Sequence, residues 1–174
     1  SMLLLLTRMS RAKDIALVAS LIELAVSLVS ASQFDKSIAV PFAVNVPWIA
    51  AFGINFNVGM DGISLLLVLL TNLLVPFIIL SSFSEANTRG SNFYGLILMM
   101  QMALVGVFTA RDGFLFYLFW EMALIPIYFI CLLWGGEERG RITLKFFIYT
   151  LAGSLLMLVA LVYLFYQTPG THSF

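Results

Sequence analysis

The sequence predicts an all-α, polytopic transmembrane helix bundle, and three observations carry that expectation. Hydrophobic residues make up 61% of the chain and charged residues 10%, against about 45–50% and about 25% for a soluble domain. The mean hydropathy is +1.03, and 16 Phe add to it. The apolar residues come in long continuous runs rather than in the short alternating segments of barrel strands. A hydrocarbon core of ~30 Å takes about 20 apolar residues as a helix, and lipid demands that each spanning segment satisfy its own backbone hydrogen bonds.

By that measure five full spans are expected, at about 14–32, 60–83, 91–110, 113–134 and 141–166. Ahead of them, "MLLLL" is too short to span and is followed at once by Arg8, Arg11 and Lys13. A signal peptide carries its charges before the apolar core, so this segment reads as the end of a first, truncated span. Residues 33–59 hold two prolines, three asparagines and Trp48, which makes them a non-spanning surface loop. The remaining joints are the polar turns "SEANTRG", "RD" and "GGEERG". The chain stops in "QTPGTHSF", a loop, and the whole is read as an N-terminal fragment. With alternating crossings, Arg8, Arg11, Lys13, Arg89, Arg139 and Arg141 share one side and Lys36 and Arg111 the other. The positive-inside rule puts the first group in the cytoplasm, or in the matrix of an organelle.

Composition also narrows the chemistry. The formal net charge of zero gives no sign of a nucleic-acid partner. The single Cys131 lies in an apolar run and His172 stands alone near the end, so neither a disulfide framework nor a multi-cysteine metal site is expected. There is no Gly-rich phosphate loop and no hydrolase triad.

Charges inside the spans are the informative residues. Glu121 is 13 residues from Trp134, ~20 Å along a helix, which puts it near the bilayer midplane. A charge there costs at least ~2.5–3.5 kcal/mol on insertion scales. Pro126 cannot donate to the carbonyl of Met122, so one backbone acceptor beside Glu121 is left open. Tyr117 and Tyr128 fall on the same helical face as Glu121, forming a polar stripe in an apolar helix. Such a carboxyl suits a proton relay; the alternative is a protonated Glu that holds two helices together. Lys145, four residues into the last expected span, is read as a relay residue or as an anchor snorkelling to the interface. Its height differs from that of Glu121 by ~13 Å, too far for a salt bridge without intervening water.

Glu23 shares a face with Ser20, Ser27 and Ser30, and the expectation there is a structural hydrogen-bonding seam between helices. Asp61 stands at the edge of its span and is expected to cap it. Pro76 is expected to kink its helix, Gln101 is a lone mid-helix polar group, and "GSLLM" at Gly153 is a small-residue contact face.

The elements "GMDGISLLLVLLTNLLVPFIIL" and "FYLFWEMALIPIYFICLLWGGEERGRITLKFFIYTLAGSLLML" carry a more specific signal. In this order, D-G-I-S-L-L, F-x-E-x-x-L-I-P and W-G-G…K-F-F-I-Y-T make the chain resemble, over about residues 58–170, the subunit M family of bacterial NADH–quinone oxidoreductase. That family is the equivalent of mitochondrial subunit 4 of respiratory complex I. The resemblance implies an antiporter-like subunit built from inverted repeats with broken helices. Its expected role is to pass protons across the membrane while redox chemistry proceeds elsewhere.

Within it, Glu121 is the family's key carboxyl, whose lysine partner would lie on a broken helix beyond Phe174. Lys145 is the lysine of the K-F-F-I-Y-T element, and Glu23 belongs to no element of the resemblance. The chain would be a subunit of a proton-translocating NADH:quinone oxidoreductase with no redox site of its own. NADH, FMN, iron–sulfur clusters and quinone are expected elsewhere in the complex. Partners are other membrane-arm subunits, lipid and protons. The expected location is the bacterial inner membrane, or the mitochondrial inner membrane if organellar. Alternatives are a monovalent cation/proton antiporter subunit, a membrane subunit of a related hydrogenase complex, and a purely structural anchor.

Overall fold

The computed structural model describes residues 12–34, 42–49 and 54–167. Five helices are each long and apolar enough to cross a membrane. They are α1 (Ala12–Ser32), α2 (Gly62–Ser81), α3 (Ala86–Thr109), α4 (Gly113–Trp134) and α5 (Arg139–Gln167). A short 3-10 turn, Ser82–Glu85, joins α2 to α3, and an antiparallel hairpin of β1 (Val44–Ile49) and β2 (Ile54–Val58) lies between α1 and α2. The truncated first span, Arg8, Arg11, Lys36 and His172 fall outside the described residues.

The hairpin corrects the expectation of a plain loop over 33–59. "INFNV" and the first three residues of "VNVPWI" alternate apolar and polar residues, the period of a strand with two unlike faces. Pro47 is tolerated because a two-stranded sheet is all edge, and the pairing is irregular between Pro47 and Ile49. The hairpin is tied to one end of the bundle. The N–H of Arg111 donates to the Asn57 carbonyl and the N–H of Gly59 to the Thr109 carbonyl, each at 2.9 Å. Val58 and Ala110 form a further β-bridge. The end of α1, the starts of α2 and α4 and the end of α3 therefore meet at the hairpin.

At the opposite end Ala12, Ala16, Val75, Ile79, Phe93, Tyr94, Ile97 and Leu98 form an apolar core. Trp134 closes it edge-on against Phe93 at 5.2 Å, and the Lys13 ammonium sits 5.2 Å from the centre of the Phe83 ring. The expected turn "SEANTRG" is instead the 3-10 turn followed by the first residues of α3. Gly90 then breaks the helix at φ 67°, a conformation that a Cβ disfavours, and the spanning part runs Gly90–Thr109.

α2 starts at Gly62 because Asp61 caps it: its carboxylate accepts the Ser64 N–H at 2.7 Å. That backbone bond, reinforced by the Ser64 hydroxyl, holds the Asp61 carboxyl below its ordinary value of 3.8. A carboxylate with a lowered folded pKa contributes its stability above the unfolded value and loses it as pH falls through the lower folded value. Asp61→Ala is therefore expected to lower thermal stability at neutral pH and to converge on the wild type as pH falls below about 4, which flattens the acid limb of the profile. A mutant profile parallel to the wild type at all pH values would contradict this role. Pro76 is buried within α2, which continues through it as one helix.

Candidate functional site: a carboxyl between two antiparallel helices

α4 begins at Asp112, which is 1% exposed. Its Oδ1 accepts the N–H groups of Phe114 (3.0 Å) and Leu115 (3.1 Å). This is an N-cap in the extended conformation that such caps adopt, a role the sequence reading leaves unassigned. From there α4 runs unbroken to Trp134 with Pro126 fully buried inside it. Gly135 accepts the helix end by donating its N–H to the Cys131 carbonyl at 3.0 Å.

Two interfaces fix the rotation of α4. Toward α3, the ring of Phe119 lies where a Cβ on Gly106 would stand, and Trp134 meets Phe93. Toward α5, Tyr128 packs on Phe147 with ring centres 5.0 Å apart. Tyr117 lies beside both the Glu121 carboxyl and the Ser154 hydroxyl. Tyr117, Glu121 and Tyr128 therefore form one stripe, and that stripe runs beside α5.

Glu121 is half-buried, and its Oε1 is shielded from solvent without a hydrogen-bond partner among the described residues. Its height is set by the helix: eight residues from Gly113 and 13 from Trp134, ~12 and ~20 Å. Lys145 is exposed on α5. With Tyr128 opposite Phe147 and Tyr117 opposite Ser154, Lys145 comes level with a point ~13 Å along the axis from Glu121. The two are not paired.

The small-residue face on α5 is not at Gly153. Gly153 is exposed, with nothing within 4 Å of where a Cβ would be, whereas Ser154 is buried and reaches the stripe. The Glu23 region also differs from the expected seam. The hydroxyls of Ser20, Ser27 and Ser30 donate to carbonyls of their own helix at 2.8–3.0 Å. The bond between helices is made instead by Asn72 on α2, whose Nδ2 donates to the backbone carbonyl of Glu23 at 3.4 Å. Gln101 on α3 then donates to Asn72 Oδ1 at 2.8 Å. Gln101 is thus a packed polar tie among three helices rather than a lone group. Asn72 had no signal in the sequence, because a single Asn in an apolar run has no period. Among the described residues no group of three or more His, Cys, Asp or Glu side chains gathers at metal-binding distance.

Residues 110–174, which carry Glu121 and Lys145, match the family model described as NADH:quinone oxidoreductase/Mrp antiporter, TM. F(420)H(2) dehydrogenase subunit M of Methanosarcina mazei is 46% identical over 84% of this chain and 30% of its own length. NADH-quinone oxidoreductase subunit M of Rhodobacter capsulatus is 41% identical over 92% of this chain and 31% of its own. A chain in the structure of respiratory complex I from Thermus thermophilus with bound NADH superposes with a TM-score of 0.78. It is 34% identical, covering 91% of this chain and 32% of that one. The chain spans about 30% of the length of these relatives. On this evidence the chain is a relative of the NADH:quinone oxidoreductase/Mrp antiporter membrane subunits, similar to those named subunit M.

Proposed function

We propose that this chain is part of a proton-translocating membrane-arm subunit of an NADH–quinone oxidoreductase, with Glu121 as a proton relay. The observation that carries the reading is the shielded Oε1 of Glu121, unpartnered among the described residues, near the middle of α4. Beside it, Tyr117 gives the carboxyl a route toward Ser154 on the neighbouring helix. A cation brought close to a carboxyl favours its anion. A lysine that approaches and retreats would therefore make Glu121 release and regain one proton per cycle. Pro126 leaves the Met122 carbonyl open to water on the same helix.

Lys145, exposed and offset along the axis, fits an interface anchor in this arrangement or a relay reached through water. FMN, iron–sulfur clusters, NADH and quinone would be bound by other subunits of the complex. Other membrane-arm subunits and lipid would cover the apolar flank of α5, where Leu156, Val159 and Tyr166 are exposed. The membrane would be the bacterial plasma membrane, or the mitochondrial inner membrane in an organelle. The electron donor is set outside this chain, since relatives of similar identity are named for F420H2 and for NADH. The antiporter part of the family's description supports a second reading, exchange of a monovalent cation for protons without redox chemistry.

A native gel of detergent-solubilised source membranes, stained for NADH dehydrogenase activity, separates the two. An antibody to "SEANTRGSN" in a denaturing second dimension is expected to mark the NADH-active band, at a native mass far above 19.3 kDa. A signal confined to a separate band without NADH activity would overturn the oxidoreductase reading in favour of the antiporter.

A further inference from the structure

α5 has two unlike sides. Thr143 and Ser154 are buried and Phe147 packs on Tyr128, so that side meets α4. At 3.6 residues per turn, the opposite side carries Arg141, Lys145, Ala152, Leu156, Val159 and Tyr163. Tyr149 and Tyr166 flank it, and with Leu156 they are 72–78% exposed. Along the axis this flank runs from two cations through aliphatic side chains to tyrosines. Lys145 and Tyr163 are 18 residues apart, ~27 Å, close to the ~30 Å hydrocarbon core of a bilayer.

That order selects lipid as the occupant. A flank that packs on another membrane helix is rich in Gly, Ala, Ser and Thr, which let backbones approach closely. Here Ala152 is the one small residue among those named. Basic residues at one membrane face and tyrosines at the other are what a lipid-facing helix carries.

At the basic end, the turn into α5 leaves an open cleft of about 870 Å³, lined by Glu137, Glu138, Arg139 and Arg141 and by glycines. These four side chains, and Lys145 one turn beyond Arg141, are exposed. Among the described residues none of the five is in an ion pair with another. The cleft therefore offers both signs of charge side by side: cations for a phosphate and carboxylates for an ammonium. A purely anionic headgroup meets only the first. A choline headgroup brings a cation with no N–H to donate. A headgroup with a phosphate and a primary ammonium matches both through charge-assisted hydrogen bonds.

We propose that the outer flank of α5 binds a phosphatidylethanolamine molecule of the leaflet at the α4–α5 turn. Its phosphate lies on Arg141 and Lys145, its ammonium on Glu137 and Glu138, and its acyl chains run along Tyr149, Ala152 and Leu156. Lys145 is then a headgroup ligand. The site is separate from the Glu121 stripe and needs no redox turnover.

The test uses the assembled complex in vesicles of phosphatidylethanolamine, phosphatidylglycerol and phosphatidylcholine in equal parts, with the same acyl chains. The photoreactive residue p-benzoyl-phenylalanine replaces Ile142, which is exposed beside Arg141, or Leu156 at mid-flank. Adducts are identified by peptide mass spectrometry. At Ile142 the phosphatidylethanolamine adduct is expected to exceed each of the other two by at least about fivefold, the equivalent of the ~1 kcal/mol that one charge contributes near a membrane surface. Glu137→Gln/Glu138→Gln is expected to remove that excess, and Arg141→Gln/Lys145→Gln to leave the three adducts in the proportions of the vesicle.

Equal adducts without these changes, or an excess of phosphatidylglycerol, would overturn the headgroup assignment. So would a phosphatidylethanolamine excess that survives Glu137→Gln/Glu138→Gln. At Leu156 lipid adducts alone are expected; an adduct to a peptide of the complex would show a protein helix on this flank and overturn lipid as the occupant. Leu144, also exposed, carries the headgroup arm if the variant at Ile142 does not assemble. Photolabelling does not depend on turnover, so its failure is distinct from a failure of the Glu121 relay.

Discussion

Glu121→Gln is expected to lower NADH-driven proton uptake into inverted membrane vesicles by at least about tenfold, while the complex still assembles. Gln matches Glu in volume and keeps an amide beside Tyr117, so the helix contacts of α4 survive; the ionisation does not. A tenfold loss corresponds to ~1.4 kcal/mol on the rate-limiting barrier, a small demand on a residue that would carry the proton itself. Glu121→Asp retains the titration but shortens the reach to Tyr117, and is expected to fall between the two. Quenching of a ΔpH-sensitive dye, normalised to the amount of assembled complex on a native gel, measures the effect. Wild-type quenching by the Gln variant would leave Glu121 as a packing residue. A loss of assembly in proportion to the loss of pumping would favour the structural-anchor alternative.

The largest expected effect on assembly lies at the α3–α4 contact. A Cβ on Gly106 would stand inside the ring of Phe119, so even Gly106→Ala forces Phe119 or the helix to move. Overpacking of this kind costs about 1–3 kcal/mol, occasionally more. Gly106→Leu adds three further carbons at the same point and is expected to abolish the assembled band. Shortening the obstacle should restore it: Gly106→Ala with Phe119→Leu is expected to recover assembly that Gly106→Ala alone loses, a coupling in the range of about 0.5–3 kcal/mol. Independent, additive effects of the two changes would place Phe119 away from Gly106. Because Phe119 and Glu121 sit on different faces of α4, the same contact fixes which way the carboxyl points.

Hydrophobic length made the five helices legible, because span length is imposed by the bilayer and not by any neighbour. The cap at Asp61 was legible for a similar reason: an acceptor three residues before Ser64 is a local pattern. The hairpin was hidden by Pro47 and the asparagines, which lower strand propensity. It is held together by register with β2 and by backbone bonds from Gly59 to Thr109 and from Arg111 to Asn57, pairs whose members are distant in sequence.

The serines of α1 illustrate a different limit. Their spacing placed them on one face, but each hydroxyl is satisfied by its own helix, as serines in helices often are. The bond that crosses between helices went to Asn72 and Gln101, 29 residues apart, a pairing no periodicity reveals. At the candidate site, Glu121, Tyr117, Pro126 and Tyr128 could be named from charge, proline chemistry and a shared face. Ser154 could not, since choosing between it and Gly153 requires the rotation of α5.

Redox-induced infrared difference spectroscopy on the intact complex tests the proton-relay claim most directly. If Glu121 gains and loses a proton during turnover, the spectrum contains a carboxylic-acid C=O component that shifts in D₂O and is missing from Glu121→Gln. The same carboxyl component, unchanged in the Gln variant, would contradict the claim and assign the moving proton to another acid.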